Sequence, residues 1–258
     1  RRKSRDALYR RVLARYVQIA TKNGLTQAVF PEGGLSLNGR VGEPKLGLLN
    51  YIVTDFDVAD GRDVVFVPVA LNYDRILEDR VLIKAGQQGT RKFRFRWWSA
   101  VRYFCKHLFE RLTGRFLRFG YAAVSFGAPV SLAAFSDGKT GDITHAVGQE
   151  LMQNIREIVP MLPIPLVASV LVGASGPLSR AAVGDAVVAR IAQLPTPASH
   201  SGLINGNTRD EINVALNHLL MRRIIRESDA GIEAIASEIQ LLEFYSNSIA
   251  HLVGENTA

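Results

Sequence analysis

The run Phe30-Pro31-Glu32-Gly33-Gly34-Leu35-Ser36-Leu37-Asn38-Gly39-Arg40, followed by Pro44-Lys45-Leu46-Gly47, concentrates the residue types that handle a small anion. Glycine backbone takes positive φ and lets N–H groups approach an oxyanion closely. A helix opening at Pro44 would aim the positive end of its dipole out of the loop. Arg40 and Lys45 add full positive charges at reachable spacing, and Glu32 offers an acceptor for the hydrogen bond of a substrate hydroxyl. The chemistry described is that of a phosphate held beside an alcohol. The competing reading is a solvated turn between a strand and a helix, because glycine content by itself is weak evidence.

The elements around this loop follow from periodicity. From Leu8, the residues Val12, Leu13, Tyr16, Val17 and Ala20 recur at helical spacing, and Asn23-Gly24 supplies a stop. Residues 27–30 read as a short strand running into the turn, and Pro44 opens a helix through Tyr51. The β-branched run 63–71 reads as a buried strand with Pro68 marking an edge or bulge, and 121–126 as another strand. Beyond Asp142 the character changes. Ile143, Val147, Leu151, Ile155 and Ile158 share one helical stripe, a second helix covers 179–194, and 196–207 is a polar connector. Thr208-Arg209-Asp210-Glu211 has the form of a capping box before a helix through Ile225. The expected fold class is α/β, with a helical lobe at the C-terminal end.

The 258 residues are nearly half apolar, enough for a sizeable core. Cys105 is the single cysteine, which excludes an internal disulfide and a thiolate zinc cluster and fits a reducing compartment. The longest apolar stretch, 158–173, is interrupted by Pro160, Pro163 and Pro165 and falls short of the roughly 20 residues that span a bilayer. The chain opens on Arg1-Arg2-Lys3, with no signal-peptide pattern behind it, and a cytoplasmic location is expected. No metal or bound cofactor is suggested.

The net charge of +7 gathers largely in 91–118, where nine Lys and Arg stand against Glu110 alone and alternate with Phe93, Phe95, Trp97, Trp98, Tyr103, Phe104, Phe109 and Phe116. Cations beside aromatic rings suit the headgroup level of an anionic membrane, where each basic side chain adds about 1 kcal/mol. A core helix with one solvated face is the alternative. Nucleic acid is not expected as a partner, because no recognisable binding module frames the stretch.

The loop at 30–40 resembles the third conserved block of the glycerolipid acyltransferases, F-x-E-G-G-R-S-R-T-G-R, in the glycerol-3-phosphate acyltransferase branch. Arg1-Arg2 fall where the second block, ending Phe-Ile-Arg-Arg, should finish. Val67-Pro68-Val69 with Asn72-Tyr73-Asp74-Arg75 and Glu78 is similar to the fourth block. The run 242–251 is similar to a closing Tyr-x-Asn-Ser-Ile-x-His segment. The chain is expected to begin inside the second block.

The resemblance implies a partial acyltransferase α/β domain over 1–140, a mixed sheet flanked by helices, followed by a helical lobe over 141–258. It implies transfer of a fatty acyl group from acyl-CoA or acyl-carrier protein to glycerol-3-phosphate, at the cytoplasmic side of the membrane, by a peripheral enzyme that docks through 91–118. Glu32 and Gly33 would belong to the catalytic site. Arg1, Arg2, Gly34, Ser36, Arg40 and Lys45 would bind the acceptor, and Val67 and Pro68 would border the acyl-donor groove. Leu35 and Leu37 stand where the family has arginines, and leucine makes no charge-assisted bond to phosphate. Dihydroxyacetone phosphate and lysophosphatidate therefore remain alternative acceptors, and a non-catalytic membrane-surface module remains the rival from another class. The family's base is a histidine in a His-x-x-x-x-Asp block; none of His107, His145, His200, His218 and His251 has that partner, so residues 1–258 alone are expected to be inactive.

Overall fold

The computed structural model describes residues 6–89, 120–194 and 208–254. Arg1, Arg2, the basic and aromatic segment 91–118 and the connector 196–207 lie outside the described residues. The described chain is a mixture of helices and short strand pairs that divides into two compact units. One takes the described residues of Arg1–Ser36, Val41–Ala70 and Val124–Val159, and the other those of Leu37–Arg40, Leu71–Ala123 and Pro160–Ala258. The chain thus enters each unit more than once, and the first unit continues past residue 140.

In the first unit, helix α1 spans Ala7–Lys22. Asp6 caps it, accepting from the N–H groups of Leu8 at 2.9 Å and Tyr9 at 3.1 Å, and Lys22 in the last turn complements the dipole. Val17 and Ala20 are buried, whereas Leu8, Val12, Tyr16 and Ile19 on the opposite stripe are exposed. Helix α2, Gly47–Val53, packs on α1. It starts three residues later than Pro44 suggests, because the Lys45 N–H is drawn to the Pro31 carbonyl at 2.8 Å and pins the preceding segment to the turn. Residues 25–30 form no strand. They are exposed, and among the described residues no neighbouring strand takes up their backbone groups.

The β-branched run 63–71 is not one buried strand. It is β1, Val65–Phe66, and β2, Val69–Tyr73, broken at Val67-Pro68 where proline has no N–H to offer a ladder. Val65, Val67 and Leu71 are about half exposed. The break is where the chain changes partner. Strand β1 pairs antiparallel with β4, Val130–Ser131, and β2 pairs with β3, Ala122–Phe126, while the Pro68 carbonyl accepts from Gly127 N–H at 2.9 Å. Helices α4, Leu132–Ser136, and α5, Ile143–Glu157, complete this unit. Its core joins Leu132, Val147 and Leu151 to Leu49, Val53, Phe56, Phe66 and Ile143, so the stripe expected on α5 does face the interior.

The second unit is built on α6, Pro163–Val172, whose first nine residues are all buried. Pro163 and Pro165 sit in its first turn, where a missing N–H costs nothing, so the prolines start the helix rather than break it. Around α6 pack α7, Arg180–Ala192; α8, Thr208–Met221; α9, Ile239–Asn247; and strand β6, Gly231–Ala234. Each fully buried Leu, Ile or Val contributes about 1.5–3 kcal/mol, which makes this the better-secured half. Helix α8 stops at Met221, short of Ile225: Arg223 takes φ 55°, and Ile225 opens strand β5, Ile225–Ser228, which pairs antiparallel with β6. Helix α3, Asp79–Gln87, packs on α9. No helix among the described residues is long and apolar enough to cross a membrane.

Candidate functional site

The first half of the glycine-rich loop folds within the first unit. Gly33 N–H donates to the Phe30 carbonyl at 2.9 Å, closing a tight turn over Pro31 and Glu32. Gly33 stands at φ 67°, and a β-carbon there would come within 2.9 Å of Lys45 Cδ, so the lysine stem lies over the turn. Gly42 N–H donates to Glu32 Oε2 at 3.1 Å, which leaves Glu32 Oε1 without a hydrogen-bond partner among the described residues. Arg156 Nη2 fixes the next stretch by donating to the Gly42 carbonyl at 3.1 Å and to Glu43 Oε1 at 2.8 Å. Glu32, Gly33 and Lys45 are therefore brought together, with one carboxylate oxygen of Glu32 oriented by backbone. Gly34 and Leu35 are exposed and Ser36 is half-buried. A cavity of about 370 Å³ elsewhere in this unit balances Lys22 and Arg62 against Asp55 and Asp57, and its lining carries no net charge for an anion.

The second half, Leu37–Arg40, belongs to the second unit and rests on the end of α9. Asn247 Nδ2 donates to the Asn38 carbonyl at 2.8 Å, and Asn38 Oδ1 accepts from Arg40 N–H at 3.1 Å. Gly39 stands at φ 86°, and a β-carbon there would fall 1.9 Å from the Phe244 carbonyl oxygen. Only glycine fits between loop and helix at this point.

The same helix end carries a buried polar cluster. Asp79 Oδ2 accepts from Tyr245 Oη and from Arg222 Nη2, each at 2.5 Å; Arg222 Nη1 and Ile76 N–H donate to Tyr245 Oη at 3.0 and 3.2 Å. The Asp79 and Arg222 side chains are only 4% and 16% exposed, so each depends on the other for its charge. Burial pushes the Tyr245 phenol up to about 12, with Arg222 acting in the opposite direction. Next to it, Asn72 Nδ2 donates to the Pro160 carbonyl at 2.8 Å and to Ser248 Oγ at 3.3 Å. Asp74 Oδ1 accepts from Ile164 N–H at 2.9 Å, capping the start of α6, and Oδ2 accepts from Tyr121 N–H at 2.9 Å. Burial nevertheless raises the Asp74 carboxyl to about 6, and the nearby Glu211 charge adds to the rise. His218 is buried too, and desolvation together with Arg75 and Arg222 lowers its pKa.

Arg1, Arg2, His107 and His200 lie outside the described residues; the other candidate site residues singled out from sequence each have a place. Val67 is exposed and Pro68 buried at the strand break. His145 and Glu150 are exposed on α5, as ordinary helix surface is. The tie between Asp79, Arg222 and Tyr245 had no signal in sequence, since 143 and 166 positions separate Asp79 from its partners. What looked like separate motifs, Asn72 to Glu78 and the closing run at 242–251, are joined with Asp79 and Arg222 in one network that fastens the strand end to the helices.

Residues 107–255 match the family described as glycerol-3-phosphate acyltransferase C-terminal region. Similar curated proteins named glycerol-3-phosphate acyltransferase occur in Pseudomonas syringae pv. syringae at 26% identity, Pseudomonas fluorescens Pf-5 at 27% and Ectopseudomonas mendocina at 25%. Each match covers 96% of this chain and 31% of the relative, so the chain spans about a third of the length of the proteins it resembles.

Proposed function

Because this chain belongs to the family of the glycerol-3-phosphate acyltransferase C-terminal region, we propose that it is the acceptor-binding and helical part of an enzyme that acylates glycerol-3-phosphate. In that reaction the acceptor hydroxyl oxygen attacks the thioester carbonyl, the C–S bond breaks, the thiol leaves, and the hydroxyl proton passes to a base. The product is 1-acylglycerol-3-phosphate. The donor is acyl-CoA or acyl-carrier protein, and Val67 and Pro68 border its groove. Arg40, Lys45, Gly34, Ser36, Arg1 and Arg2 serve the acceptor.

The observation that supports this most is the half-engaged carboxylate of Glu32. Gly42 N–H holds one oxygen in place, and the other is positioned to accept a hydrogen bond from an alcohol within a turn that only a positive-φ Gly33 allows. An acyltransferase-type mixed sheet over 1–140 with a helical lobe over 141–258, and peripheral attachment to the cytoplasmic face of an anionic membrane through 91–118, belong to the same reading. Exposed Leu35, in place of an arginine, favours an acceptor held less by side-chain charge than by backbone, so dihydroxyacetone phosphate and lysophosphatidate are assayed beside glycerol-3-phosphate.

The test is thiol release by the full-length protein carrying residues 1–258, with each acceptor in turn. Glu32→Gln keeps the turn's shape but weakens the acceptor oxygen, and is expected to lower the rate about tenfold to a hundredfold. An unchanged rate would remove Glu32 from the site, and transfer to none of the three acceptors would leave the surface-binding module as the better account.

A further inference from the structure

Two independent features join the loop residues 37–40 to the end of α9: the donated bond from Asn247 Nδ2 to the Asn38 carbonyl at 2.8 Å, and the Gly39 backbone, seated where a β-carbon would be 1.9 Å from the Phe244 oxygen. Asn38 in turn sets the backbone of Arg40 through its own side-chain oxygen, at 3.1 Å from the Arg40 N–H. The helix end that does this is itself held, since Tyr245 is locked by Asp79, Arg222 and the Ile76 N–H. Hydrogen bonds at Tyr245 and at Asn247, joined by the α9 backbone between them, therefore link a buried acid to the basic residue of the glycine loop, all within one compact unit.

We infer that Asn247 is a positioning residue for the acceptor: its amide fixes the backbone of Asn38 and Gly39 and thereby the place of Arg40 against the acceptor's phosphate. The inference rests on the acceptor site proposed above. Its physical basis is that a glycine-rich loop left to itself samples many conformations, and binding then pays for ordering it. A donor at position 247 makes that ordering part of folding. The bond lies at the loop assigned to the acceptor, so the effect is expected on the acceptor KM rather than on the donor KM.

The experiment varies both substrates for the full-length protein and its Asn247→Asp and Asn247→Gln variants. The aspartate is isosteric but, when ionised, cannot donate to a carbonyl; the glutamine keeps the donor on a longer arm. The expected result for N247D is an acceptor KM about fivefold to tenfold higher, with kcat, donor KM and thermal midpoint close to the parent, and an acceptor KM in N247Q nearer the parent than in N247D. An unchanged acceptor KM in N247D overturns the inference. So does a change that falls equally on kcat and both KM values together with a lowered midpoint, which marks a general structural role. Calorimetric titration with glycerol-3-phosphate, without donor, separates this from the activity: binding weakened in N247D without turnover in the parent sinks the reaction and keeps the positioning, whereas turnover with N247D kinetics equal to the parent does the reverse.

Discussion

The two compact units handle their polar and apolar groups in opposite ways. In the second, α6 is buried along nearly its whole length and the charged groups inside, Asp74, Asp79 and Arg222, are paired or engaged by backbone N–H groups. In the first, α1 turns Leu8, Val12, Tyr16 and Ile19 to solvent at 71%, 60%, 69% and 45% exposure, and Val65 and Phe126 are also open. Apolar burial gives the second unit its stability, while the first leaves a good part of its apolar surface unused. The glycine-rich loop divides between them. Its acidic half is held by a turn and its basic half by a helix end.

Substitutions can break or sharpen that contrast. The largest effect is expected from Asp79→Ala, which strands the Arg222 cation inside the second unit; chemical denaturation should show a loss of about 3–5 kcal/mol, and a loss under 1 kcal/mol would mean that the cluster is solvated. Next is pH. The Asp74 carboxyl, raised to about 6 by burial, holds its proton more tightly folded than unfolded. Its contribution is therefore greatest below pH ~4, falls as pH rises to about 6, and is flat beyond, a swing of up to about 3 kcal/mol. Comparing stability at each pH for the parent and Asp74→Asn isolates it, and parallel profiles would contradict the assignment. Tyr245→Phe removes one hydroxyl from the same cluster and leaves Asp79 and Ile76 N–H short of a partner, for a cost of about 2 kcal/mol in thermal or denaturant unfolding. The smallest effect belongs to the first unit: Leu8→Ser or Tyr16→Ser, on the exposed stripe of α1, should shift stability by no more than about 0.5 kcal/mol. A larger drop would show that this stripe is covered in the protein measured.

Much of the local structure was legible. The α1 helix, the α5 stripe, the stop at Asn23-Gly24 and the positive-φ turn at Gly33 follow from spacing and residue type alone, because helices and turns close their hydrogen bonds within a few residues. Strands were read less well. The short strand at 27–30 did not form, and 63–71 split at Pro68, because a strand exists only where a distant partner supplies its other half. The glycine loop, the run at Asn72 and the closing run at Tyr245 were each recognisable as strings, but not as neighbours.

The sequence by itself determined which residues could bend, cap or carry charge, since those are properties of single side chains and short spacings. Tertiary structure alone decided that Asn247 meets Asn38, that Asp79 meets Arg222 and Tyr245, and that Asp74 caps α6. Those contacts join positions 90 to 209 residues apart, and only the burial of intervening apolar helices supplies the free energy to close such long loops.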